Sequence, residues 1–191
     1  MQHTEIAKRF VKAADLAGIV VREADIEVQY QPAPHTPPSP LPKGKSAIYV
    51  FMLDDRCLKV GKAGPKSAAR FCSQHYGANR APSTLANSVI KANLGAPNTT
   101  LTANNVSDWL RANTSRVNFL LPSSHGPGVL ALFEVFVQCC LQPEFEGFAS
   151  QRVVAQQVAA ADRQTATRLG TLRASRSGGG VGRSMSFVIR R

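Results

Sequence analysis

Tyr49, Lys59, Lys62, Lys66, Arg70 and His75 fall within 27 consecutive residues, and after Asp55 no acidic side chain appears until Asp108. Cations gathered around a phenol and an imidazole match the needs of phosphodiester chemistry. Fixed positive charge holds the phosphate and opposes the charge that grows on it, while titratable groups move protons beside it. Arg70 is placed to grip a scissile phosphate; removing such a preorganised donor typically costs about 10²–10³ in rate. Lys59 beside Tyr49 favours the phenolate, drawing the phenol down from its ordinary pKa of roughly 10 so that it accepts a proton from water. Lys62, Lys66 and, further on, Arg80 are cations suited to a nucleic-acid backbone.

The remaining requirement is a carboxylate for a metal. Glu134 is the only charged residue in GVLALFEVFVQCCL. Unpaired inside a core helix, it would cost several kcal/mol, of order 2–7, or take up a proton. One Mg²⁺ (or Mn²⁺) relieves that cost. Magnesium often takes only one or two carboxylates, with water and substrate phosphate completing its shell, and acts on phosphate and leaving oxygen together. Each residue also has an ordinary structural role open to it. Tyr49 in IYVF reads as a core aromatic and the lysines as a solvated face. His75, in helical register with Ala68, Phe71 and Cys72, reads as a core-edge histidine. Glu134 reads as the partner of Arg70 or Arg116. Their joint occurrence is what phosphodiester chemistry would need.

The elements that must position these residues follow from pattern. Ala47–Leu53 and Arg56–Gly61 are β-prone runs joined through Asp54-Asp55, which predicts an antiparallel hairpin. Alternation puts Tyr49 on a face with Phe51 and Leu53, and Lys59 on one with Cys57 and Gly61. Residues 66–76 read as a helix, as do 82–93 and 107–113, with a loop over LGAPNTTLTANN between the last two. RVNFLL (116–121) is a third strand, and 127–141, apolar almost all round, is a central core helix. Before the hairpin, 4–17 reads as an amphipathic helix capped by Thr4, and 26–30 as a β-prone run. Six prolines between 32 and 42 predict an extended connector. The expected organisation is therefore an N-terminal appendage (1–31), a Pro-rich linker (32–45), a main domain (46–150) and a basic tail (151–191) whose Gly/Ser/Arg-rich end is disordered.

The formal charge of +11 over 191 residues is unevenly spread. Residues 1–45 carry six basic and five acidic groups, whereas 151–191 carry eight Arg and one Asp. The tail thus sets much of the basic balance. Such a chain favours a polyanion, nucleic acid before membrane, because no run of 18 apolar residues accompanies the charge. Charged residues through the first turns exclude a secretory signal. Cys57, Cys72, Cys139 and Cys140 form no C-x-x-C pair, which predicts buried free thiols and a cytoplasmic setting rather than zinc.

Taken together these positions resemble the GIY-YIG nuclease superfamily. Ala47-Ile48-Tyr49 stands for the first signature tripeptide and Lys59-Val60-Gly61 for the second, ten residues apart from Tyr49 to Lys59. Arg70 matches the helix arginine, His75 the histidine that often follows it, Glu134 the metal-binding glutamate, and Pro143-x-Phe145-Glu146 the closing P-x-F-N pattern. Ala47 replaces the first glycine, and Lys59 replaces the second tyrosine as in some restriction-type members. Over about 46–148, the resemblance implies an α/β (α+β) domain: a three-stranded, mainly antiparallel sheet flanked by helices. It implies a magnesium-dependent endonuclease that hydrolyses DNA, with Tyr49, Lys59, Arg70, His75 and Glu134 catalytic and Glu134 holding the one metal ion. The rivals are a non-cleaving nucleic-acid-binding module of the same fold, an RNA-directed nuclease, and a structural protein whose tail alone meets nucleic acid.

Overall fold

A computed structural model describes residues 3–79 and 84–145. Arg80, Glu146 and the basic tail lie outside the described residues. In chain order the elements are α1 (His3–Leu16), β1 (Glu27–Gln31), β2 (Lys45–Leu53), β3 (Arg56–Ala63), α2 (Ala68–Cys72), α3 (Leu85–Lys91), α4 (Val106–Asn113), β4 (Ser115–Pro122) and α5 (Gly126–Leu141). The fold is α+β. One antiparallel sheet in the order β1-β4-β2-β3 carries helices on both faces.

The hairpin is as its sequence dictates: β-branched and aromatic residues fill β2, and Asp54 takes the left-handed conformation (φ 51°) that a tight hairpin turn requires. Because both faces are covered, β2 is buried at every position from Ser46 to Phe51. Even residues Ile48 and Val50 join a core with Ile6, Phe10, Phe119, Phe133 and Val137, beneath α1 and α5. Odd residues Ala47, Tyr49 and Phe51 join a second core with Phe71, Tyr76, Leu85, Val89, Val106 and Leu110, beneath α2, α3 and α4.

Several expectations are corrected. The sheet has four strands, not three, because β1 pairs with β4 from Glu27↔Leu120 to Gln31↔Arg116. The N-terminal segment is therefore no appendage. Phe10 of α1 stacks on Phe133 of α5 at 4.0 Å between ring centroids, and Ile6, Phe10 and Ala14 are wholly buried. The Pro-rich stretch does not hold that segment at a distance either: His35 is buried, with its backbone N–H bonded to the Arg111 carbonyl at 2.9 Å. Thr4 lies inside α1 rather than capping it.

Helix α2 ends at Cys72, shorter than its pattern predicts, and a turn follows. Adjacent residues on a helix point about 100° apart, whereas His75 and Tyr76 both turn inward here. In β3 the ladder slips, with Phe51 opposite Lys59 but Met52 opposite Cys57, leaving Leu58 as a bulge. Cys57 consequently faces the α1/α5 core, while Lys59 and Gly61 stay on the Tyr49 side. The outer edge of β3 is covered by the chain after α5. Glu144 and Phe145 donate backbone bonds to the Cys57 and Leu58 carbonyls, both at 2.9 Å, and Glu144 takes both nitrogens of an Arg56 fork at 2.7 Å.

Helix α5 is central, but only one stripe of it (Leu130, Phe133, Val137) is buried; Leu132, Val135 and Cys139 form an exposed stripe. By length and composition alone Ser123–Leu141 is also apolar enough to cross a membrane, which a count of uninterrupted apolar residues misses. The cysteines are not uniformly buried: Cys57 is buried, Cys72 and Cys140 are intermediate and Cys139 is exposed.

Candidate active site

The site grows from one close approach between strands. Tyr49 of β2 lies opposite Gly61 of β3 on one side and Asn118 of β4 on the other. A Cβ on Gly61 would sit 2.5 Å from the phenol Cζ and closer still to its oxygen, so the tyrosine ring lies directly across the glycine backbone. No other residue type leaves that space. The ring cannot lean away freely, because Phe51, Phe71 and His75 surround it in edge-on or tilted contact.

Two neighbours fix the phenol oxygen. Arg70 donates Nε–H to it at 3.1 Å, and His75 Nε2 lies 2.6 Å away. With Tyr49 neutral, its hydroxyl donates to His75 Nε2 and the imidazole proton resides on Nδ1. His75 is 4 % exposed, and its Nδ1 has no hydrogen-bond partner among the described residues. Burial pushes the His75 imidazole down to about 3, and the charges of Lys59, Arg70 and Arg116 add to that push. The ring is therefore neutral at physiological pH, an acceptor for the Tyr49 proton.

The expected acidic phenol is not what the site contains. Burial raises the Tyr49 pKa and outweighs the opposing pull of Arg70 and Arg116; Glu134 pushes it further up. Lys59 is 8 % exposed and reaches the Phe145 carbonyl at 3.5 Å.

The structure thus gathers Tyr49, Arg70 and His75 in one hydrogen-bonded chain, with Lys59 beside it. Glu134 comes to the same edge strand from the other side of the sheet. It pairs with Lys62 at 2.5 Å rather than with Arg70 or Arg116, and its side chain is 14 % exposed. Lys62, expected to contact a nucleic-acid backbone, is engaged by that carboxylate; Lys66 is exposed in the turn before α2.

Among the described residues no three His, Cys, Asp or Glu side chains gather, so no more than two of these side chains among them could hold a metal at one place. That suits Mg²⁺, which binds through one or two carboxylates and keeps its waters. The Lys62 ammonium on Glu134 marks a direction in which that carboxylate already accepts a cation. The donor set fits a single hard dication held by Glu134, with Lys62 as the group that yields.

A second chain of polar residues escaped the sequence reading. Arg116 is fully buried: Nη1 donates to the Tyr76 hydroxyl at 3.2 Å, Nη2 to the Phe71 carbonyl at 2.6 Å, and Nε to the Asn118 side chain at 2.9 Å. The Tyr76 hydroxyl lies 2.8 Å from His35 Nε2, and His35 Nδ1 lies 2.6 Å from the Thr114 carbonyl. The available signal was alternation: Arg116 and Asn118 are two polar residues at like positions in the otherwise apolar run RVNFLL.

No family model matches the chain, and no curated protein or solved structure is significantly similar to it.

Proposed function

We propose that this protein is a metal-dependent endonuclease that hydrolyses DNA phosphodiester bonds, on a GIY-YIG-like domain of the restriction type. The observation that carries the reading is the Arg70–Tyr49–His75 hydrogen-bond chain, laid over Gly61 at the sheet edge that Glu134 reaches. Arg70 is the exposed member of that chain, and Tyr49 is wholly buried. When the guanidinium turns to bind a phosphate, it uncovers the phenol oxygen and positions the phosphorus beside it. Water then passes a proton to the Tyr49 oxygen as Tyr49 passes its own to His75 Nε2. The resulting hydroxide attacks phosphorus, the bridging oxygen departs, and solvent protonates it.

The bound phosphate has a further effect. Its negative charge offsets Arg70 and Lys59, two of the cations that depress His75, so substrate itself makes the imidazole a better base. Glu134 would hold Mg²⁺ or Mn²⁺, which when bound supplies positive charge to the phosphate and the leaving oxygen. Lys59 and Lys66 add electrostatic attraction for the backbone.

Binding without cleavage is the second reading, and two observations favour it: Tyr49 is sealed from solvent, and Glu134 is already satisfied by Lys62. Incubating the purified chain with supercoiled plasmid in Mg²⁺ and in EDTA separates the two. The nuclease reading expects nicked or linear product in Mg²⁺ alone. Retarded but intact plasmid under every metal condition would instead establish the binding module.

A further inference from the structure

Arg116 has a guanidinium wholly removed from water and, among the described residues, no carboxylate to balance it. Its three hydrogen bonds go to neutral groups. Three aromatic rings enclose its charge instead: the Cζ atom lies 5.3 Å from the Tyr49 centroid, 5.0 Å from Phe51 and 4.8 Å from Phe71. A desolvated cation over ring faces gains from each of them, yet an apolar side chain would fill the same volume at no desolvation cost. A lone buried charge held this way acts on whatever ionises beside it.

We propose that Arg116 is a positioning residue for Tyr49: fixed between that ring and Phe71, it holds the phenol in the slot above Gly61 and stabilises the negative charge that gathers on the phenol oxygen as its proton leaves. The functional consequence rests on the reading of Tyr49 as the proton-accepting group; the coupling between the two side chains does not. Tyr49 faces Arg70 from α2, His75 from the turn after it and Arg116 from β4; Lys59 of β3 shares its side of the sheet, and Glu134 of α5, on the other side, adds an opposing charge. Arg70 is exposed and can turn onto a phosphate. Arg116 cannot move, so it is the cation whose effect on the phenol persists throughout a turnover. Burial and coupling agree with this placement, since the Arg116 charge pulls the Tyr49 phenol down against the stronger push of desolvation.

The test reads the phenol directly. The full chain contains three tyrosines, so incorporation of 3-fluorotyrosine gives few ¹⁹F resonances, assignable by Tyr→Phe variants. The fluorinated phenol is intrinsically more acidic, which brings its titration into a range where the fold is intact. Arg116→Met should raise the Tyr49 midpoint by about one pH unit or more, the effect of losing an opposite charge at close range. Arg116→Lys should restore most of the shift. Because Arg116→Met removes three hydrogen bonds and can fail to fold, Arg116→Gln gives a second measurement: its side-chain amide keeps a donor for those neutral partners but carries no charge, and it should still raise the Tyr49 midpoint. A purely structural arginine predicts no such rise. An unchanged Tyr49 midpoint in folded Arg116→Gln would overturn the proposal. A midpoint raised in the Arg116 variants, together with a wild-type chain that cuts no nucleic acid, would keep the coupling and discard the nuclease reading, so the two fail separately.

Discussion

Gly61 has no side chain, and the Tyr49 phenol occupies the space where one would be. Gly61→Ala is accordingly expected to destabilise the fold by about 1–3 kcal/mol, the usual cost of overpacking, because the rings around Tyr49 leave it little room to shift. Urea unfolding measures the cost, and an alanine tolerated within a few tenths of a kcal/mol would show that the ring moves freely. His75 makes a separate claim about pH. Its folded pKa of about 3 lies below its ordinary 6.5, so the unfolded chain binds a proton that the folded chain refuses. Its contribution to stability is fully present above about 6.5 and is lost as pH falls toward about 3. His75→Gln should therefore flatten the fall of the urea midpoint between pH 7 and 4, leaving the slope due to His35 and His3, whose pKa values burial also lowers, and to Glu144, which Arg56 holds down. An unaltered slope would mean that His75 is already protonated in the folded state. At this scale Tyr49, Arg70 and His75 were legible because residue type and order carry their chemistry. The upward shift of the phenol was not legible: proximity to lysine can be read along a chain, but the depth of burial that opposes it cannot.

Among the elements, the hairpin and the core helix α5 announce themselves by pattern, whereas the N-terminal segment disguises its role. Proline density marked residues 32–42 as a spacer, and a spacer implied an appendage. The prolines instead carry an extended chain across the sheet so that β1 can return beside β4, a long-range pairing that no local periodicity encodes. Helix α1 then closes over the core, with Phe10 on Phe133. Phe10→Ala should cost about 3–5 kcal/mol as measured by denaturant unfolding, and deletion of residues 1–31 should abolish cooperative unfolding altogether. An independently folded fragment beginning at residue 32, with an unchanged melting transition, would restore the view of an appendage. The bulge at Leu58 was equally hidden: Lys59 stays on the face of Gly61, as plain alternation gives, but Cys57 is turned to the other core.

For the whole molecule, charge is unevenly distributed along the chain. The described domain concentrates a few cations around Tyr49, while residues 151–191 carry eight Arg against one Asp. Truncation at Arg152 should leave the fold intact, weaken binding to duplex DNA and flatten its dependence on salt, since fewer phosphate contacts release fewer counterions. Affinity unchanged across a salt titration would mean that the tail serves another purpose. Composition made this division visible, but the sheet that brings β2, β3 and α2 together around one phenol had to be seen in three dimensions.

The most direct test of the nuclease reading is plasmid cleavage and DNA binding measured side by side for wild type and Glu134→Ala. Removing Glu134 takes away the carboxylate proposed to hold the metal and releases Lys62. The expected result is loss of Mg²⁺-dependent cleavage with DNA affinity equal or higher, because a negative charge has left the phosphate site. Cleavage retained in Glu134→Ala, or absent from wild type in both Mg²⁺ and Mn²⁺ while DNA still binds, would contradict it.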